Sequence, residues 1–265
     1  ITLDKGGNLT VLRTTTNTAN GGDVFENLGN LQVQNGFSQV RTQHSDGSGN
    51  ANGIIQNLGI TLRFADYTRQ TGGVVAFTTD NTNDANTGFV AAKTGVTPDL
   101  AGSRVAFAPA PGSLSLLVGD AEATELDTKV LIGAYGGATN NAVDRLVTVE
   151  TFGGLSYVRL LDVGQTGDYR TSITAATPAA ITVSNLAGAG TNQRDDNLRL
   201  AMAANGSQLI KIDPSSNALA GRISFNAMLV NANNNTLRIA EQNTLHLGGY
   251  GGDSQHVSVM GSGMI

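Results

Sequence analysis

Apolar side chains fall at every second position along most of this chain. The pattern is clear in LTVL (Leu9 to Leu12), LQV (Leu31 to Val33), ITLRF (Ile60 to Phe64), LSLLV (Leu114 to Val118), LVTVE (Leu146 to Glu150) and LSYVRLL (Leu155 to Leu161). A period of two is the strand period, because successive side chains of an extended backbone point to opposite faces. Glycine pairs at Gly6, Gly21, Gly72, Gly136, Gly153 and Gly248, with the Asn233 to Asn235 run, separate these segments and predict sharp turns. Polar stretches at Thr42 to Asn52, Thr78 to Thr87 and Gly136 to Asp144 predict projecting loops. Only Asp120 to Thr128 (DAEATELDT) is rich in helix formers; it is short and weakly amphipathic, so helix and irregular loop both stay open.

The last third repeats itself. Between Asn197 and Val259 the units NLRL, QLIKI, GRISF, NTLRI, NTLHL and HVSV share aliphatic pairs set among Asn, Gly and Ser. Leu198/Leu200 is echoed by Ile223/Phe225 and then by Leu245/Leu247, and Leu209/Ile212 by Leu237/Ile239 and Val257/Val259. Strand-sized self-similarity at a period of about 20 to 30 residues predicts a stacked solenoid. The expectation is therefore an all-β chain forming one elongated parallel right-handed β-helix over residues 1–265. Its most regular repeats would lie at 197–259, with loop-rich insertions at about 78–144. A β-sandwich or jelly roll is the alternative for many short strands with frequent turns. Like residues recurring coil after coil favour stacking, since vertical rows pack methyl groups and satisfy amides.

Composition narrows the function classes. Charged residues make up 14% of the chain, aromatics 5% and hydrophobics 40%, with 34 glycines, which fits neither a disordered chain nor a helical one. A net charge of -5 and basic residues scattered singly exclude a nucleic-acid partner. No run of about 18 apolar residues predicts a membrane-inserted helix. Cysteine is absent, which removes disulfides, thiol nucleophiles and thiolate metal sites, and suits a Cys-poor bacterial surface protein. The chain begins at Ile1 with no methionine, as after removal of a leader or within a longer polypeptide.

Candidate chemistry is sparse. The histidines are His44 in a polar stretch, His246 alternating with Leu245 and Leu247, and His256 beside Val257; none has the setting of a nucleophilic triad, and no catalytic residue is assigned. Carboxylate pairs that would suit a polysaccharide lyase or hydrolase are Asp195 with Asp196, Asp162 with Asp168, and Asp80 with Asp84. Each also reads as an ordinary turn residue, and the missing tryptophan makes an aromatic sugar cleft hard to build. Asp80, Asn83 and Asp84 place oxygens as calcium loops do, without the glycine and distal glutamate of an EF-hand. No other cofactor is implied.

The stretches ITLDKGGNLTVLRTTTN (Ile1 to Asn17), FENLGNLQVQNG (Phe25 to Gly36) and NNTLRIAEQNTLHLGGYGG (Asn234 to Gly252) resemble the autotransporter-associated β-strand repeat proteins, large bacterial surface or secreted polypeptides. The resemblance implies rungs of a parallel β-helix and a passenger or surface-structural role. Solenoid ends expose backbone groups and apolar side chains unless capped. The expected function is thus a non-enzymatic extracellular or cell-surface fibre subunit whose partner is itself. It would be joined through Ile1, Leu3, Leu9 and Val11 at one end and Val257, Val259 and Ile265 at the other. A glycan-binding adhesin, a polysaccharide lyase or hydrolase, and a virion fibre protein are the alternatives.

Overall fold

The computed structural model describes residues 1–14, 24–45, 60–79, 104–108, 116–118, 129–137, 143, 145–161, 168, 171–175, 197–202, 208–210, 222–225, 227–231, 237–239 and 244–247. Of these, 72% lie in strands and none in a helix, so the described chain is all-β. The chain divides into two compact units, one of Ile1–Leu117 with Leu131–Leu161, the other of Val118–Val130 with Asp162–Ile265.

The first unit is laid down in passes of three strands. β1 (Thr2–Leu3), β2 (Asn8–Thr14) and β3 (Val24–Leu28) form the first pass. β4 (Leu31–Val33), β5 (Gly36–Ser45) and β6 (Ile60–Phe64) form the second, and β7 (Tyr67–Arg69), β8 (Gly73–Thr79) and β9 (Arg104–Phe107) the third. Each strand pairs in parallel with its counterpart in the next pass, giving the ladders β1-β4-β7, β2-β5-β8 and β3-β6-β9. β10 (Leu117–Val118) and β11 (Val130–Leu131) pair with each other. β12 (Ala134–Gly137) then joins β8 in parallel.

Pairing changes sense after β12. β13 (Arg145–Phe152) runs antiparallel to β12, and β14 (Leu155–Leu160) runs antiparallel both to β13 and to β9. The hairpin thus joins two parallel ladders into one curled nine-stranded sheet, β2-β5-β8-β12-β13-β14-β9-β6-β3, whose two outer strands both belong to the first pass. Its turn is Gly153-Gly154, with Phe152 paired to Leu155 and φ of 57° and 79°. Two successive positive φ values define the type I′ turn that matches strand twist, and only glycine adopts them freely. At Gly136 a Cβ would lie 2.2 Å from Leu160 Cδ2 and 2.8 Å from Val147 Cγ1, so the fold-over of β12, β13 and β14 needs a bare backbone there.

Register stacks side chains in rows, because paired residues of a parallel ladder point the same way. Leu9, Val40 and Phe77 form one row and Leu28, Phe64 and Phe107 another, all within or against the hydrophobic core. Phe107 is the centre of an aromatic group, with ring centroids 6.1 Å from Phe64, 5.8 Å from Tyr67 and 6.2 Å from Phe77. Contact distances of this kind favour tilted and edge-on rings.

The second unit repeats the three-strand arrangement. β15 (Thr171–Ala175), β16 (Asn197–Met202) and β19 (Ala227–Asn231) form a parallel sheet; β17 (Gln208–Ile210) pairs in parallel with β20 (Leu237–Ile239), and β18 (Arg222–Phe225) with β21 (Thr244–Leu247). The echo of Ile223/Phe225 by Leu245/Leu247 is a true register pairing. That of Leu198/Leu200 is not: their partners are Met228 and Val230. Leu209 lies opposite Arg238, one step off the expected Leu237.

Three expected loops begin as strand. Thr42 to Ser45 complete β5, Thr78 and Thr79 complete β8, and Gly136 and Gly137 complete β12. β9, inside the span expected to be loop-rich, belongs to the third pass. The Asp120 to Thr128 segment lies outside the described residues.

Candidate assembly interface

The first pass is where the first unit is open among the described residues. β1 is the outer strand of its sheet, and β2 and β3 are the outer strands of theirs. On the inner side the pass is well anchored. The Ile1 ammonium donates to Asn30 O at 2.7 Å, Gln32 N to Ile1 O and Gln34 N to Leu3 O at 2.8 Å each, and Thr2 Oγ1 to Gln32 Oε1 at 3.2 Å. Gln39 N donates to Gly7 O at 3.1 Å, with Asn8 in register with Gln39. The alternation of a parallel ladder then commits the backbone groups of Leu9, Val11 and Arg13 to β5 and turns those of Asn8, Thr10, Leu12 and Thr14 to the open edge.

Side chains show the same opening. In the row Ile1, Leu31, Tyr67, the second and third members are buried while Ile1 is 44% exposed. Leu9 and Val11 are half-buried above Val40 and Thr42, which are fully buried. Leu28 is half-buried above Phe64 and Phe107. Leu3 of this pass is buried, at 6%. Phe25, on the other face of β3, is 46% exposed, and Phe37 at the start of β5 is 54% exposed.

Glu26 breaks the apolar pattern. It sits in register with Leu62, which is paired in turn with Val105, and both of those are fully buried core residues. By alternation with Leu28, the Glu26 side chain belongs to the inward row, and it is exposed because no further strand lies over it among the described residues. At the opposite end β7 is likewise the outer strand of its sheet, but the hairpin continues the other two ladders: Val147, Val149, Val158 and Leu160 pack in or against the core.

Ile1, Leu3, Leu9 and Val11 are therefore gathered on one pass. Val257, Val259 and Ile265 lie outside the described residues, as do the calcium candidates Asp80, Asn83 and Asp84 and the carboxylates Asp162, Asp195 and Asp196. Asp168 is fully buried and its carbonyl accepts from Asn197 Nδ2 at 3.0 Å, which ties the start of β16 to the chain before β15. His44 stands in β5, not in a loop, and His246 in β21 is in register with Ser224; His256 lies outside the described residues. Among the described residues no three His, Asp or Glu side chains are grouped to hold a metal ion, and no helix is long and apolar enough to cross a membrane.

Beyond the first pass, the faces of β9 and β14 turned from the core carry buried polar groups: Arg104, Tyr157 and Arg159 are exposed by only 1%, 4% and 3%. Arg159 pairs with Glu150 at 3.5 Å and donates to Leu160 O at 3.1 Å. Buried and paired in this way, Arg159 acts as a structural tie between β13 and β14.

β3 is the part of this interface that sequence reasoning missed. Its signal was weak, since in VFENL the adjacent Val24 and Phe25 and the charged Glu26 interrupt the period of two. No family model matches the chain, and no curated protein or solved structure matches it.

Proposed function

We propose that this chain is a non-enzymatic structural subunit, built as a parallel right-handed β-helix, that self-assembles through the open first pass of its first unit. The observation that carries the reading is the coincidence of three open ladders and four partly uncovered core rows, at Ile1, Leu9, Val11 and Leu28, on one pass. The repeated three-strand order in both units supports the helical reading, as does parallel pairing, which the antiparallel sheets of a sandwich or jelly roll lack. The right hand is the one parallel crossovers almost always take. A bacterial surface or extracellular setting, with the autotransporter-associated repeat proteins as the family it resembles, remains part of the same proposal.

The test is Thr10→Pro. The Thr10 N–H faces the open edge, so proline there removes a donor needed by an incoming strand while sparing the β2-β5 ladder. Sedimentation velocity and negative-stain microscopy are expected to show assemblies for the parent chain and none for Thr10→Pro, with β circular dichroism retained by both. A parent chain that is monomeric at every concentration, or a variant that assembles as before, overturns the proposal.

A further inference from the structure

We infer that Glu26 selects what stacks on the first pass: the strand it admits over β3 carries a lysine or arginine with an aliphatic residue two positions away. The inference rests on the reading that this pass accepts another strand, and adds the chemistry of the occupant.

In β3 the inward positions Glu26 and Leu28 are matched below by Leu62 and Phe64 and then by Val105 and Phe107. Every member of the lower layers is buried and apolar. An ordinary core row would continue with an aliphatic side chain at position 26. A carboxylate there tolerates its present exposure, and becomes costly once a strand covers it, because a charge removed from water needs an opposite charge or hydrogen-bond donors.

An incoming aliphatic residue would bury that carboxylate unpaired. An incoming acidic residue would add repulsion between directly opposed like charges. A basic residue supplies the missing partner, while an aliphatic neighbour two positions away covers Leu28. Inward-pointing charges of this kind are a known means of keeping an open sheet edge from pairing indiscriminately. The same reasoning excludes one contact between copies: β3 laid antiparallel on a second β3 about its centre would set Glu26 against its own equivalent.

The experiment uses the full chain and synthetic peptides copying β6, the strand that already stacks on β3 from below. Three versions of residues 59–65 differ at one position: the native Leu62, Leu62→Lys and Leu62→Glu. Titration calorimetry is expected to show the lysine peptide binding at least tenfold more tightly than the other two. That preference should disappear on a chain carrying Glu26→Gln. Equal binding by the three peptides, or no binding by any, overturns the inference. Selective peptide binding by a chain that never polymerises would sustain it while overturning self-assembly.

Discussion

At the scale of single residues, the core shows where a polar atom is held inside at a definite place. Tyr67 is 1% exposed and its hydroxyl donates to Ile132 O at 3.2 Å. Burial drives its phenol far above the ordinary value of 10.0, with nearby Arg69 lowering it and Tyr135 raising it by smaller amounts. A phenol harder to ionise in the folded state stabilises fully below the unfolded value and loses that contribution as pH rises above it. The parent chain should therefore lose stability above about pH 10 by up to about 1.4 kcal/mol per pH unit from this group. Tyr67→Phe should flatten that part of the profile in denaturant titrations across pH 8 to 12, and cost about 1 kcal/mol at neutral pH through the lost hydrogen bond. Alternation placed Leu31, Leu62 and Phe64 inside from sequence alone. It had no means of placing Tyr67, because YTR is too short to display a period and its burial depends on neighbours in the second pass and at Ile132.

At the scale of elements, the hairpin is the feature that the repeat pattern concealed. LVTVE and LSYVRLL were legible as strands and Gly153 as a turn, yet alternation by itself does not distinguish a strand that stacks in parallel from one that folds straight back. The distinction lies in turn length: two glycines leave room only for an antiparallel return, whereas parallel neighbours need a long crossover. Gly153 and Gly154 have no atoms within 4 Å of an added Cβ, so substitution there tests conformation without crowding. Gly154→Val should lower stability by about 1–2 kcal/mol, the cost of a left-handed backbone for a residue with a Cβ. Gly153→Asn should be nearly neutral, since asparagine suits the first position of this turn. Midpoints of urea unfolding for the two variants check both. The long inter-strand spans explain the rest of the mismatch. Leu198 and Leu200 pair with Met228 and Val230, a less conspicuous match than Ile223 and Phe225, because the chain runs through two other ladders before returning.

At the scale of the first unit, the two ends are chemically unlike. At one end β13 and β14 close the span between β8 and β9, with β7 left as the outer strand of its own sheet, while the other end presents the edges of β1, β2 and β3. Removing residues 1–28 would not close the open end. It would transfer the opening to the second pass, where Leu31, Val40 and Leu62, now fully buried, would come to the surface with no acidic residue among them. That shortened chain is expected to self-associate more strongly than the full one, read as a higher sedimentation coefficient at equal concentration. A shift to smaller species would count against association through the open pass. At this end the period of two marks β2 in LTVL but neither β3 nor the exposure of the pass, which follows from which ladder each strand borders.

The Gly153-Gly154 hairpin also bears on how the chain acquires its shape in time. Its two strands are neighbours in sequence and need no distant partner, so they can zip within microseconds, whereas each parallel ladder must wait for a loop to close. A ribosome delivers the amino terminus first. Until residues 145–161 emerge, every pass made before them lacks its lid, and the nascent chain spends that interval with its greasy interior uncovered.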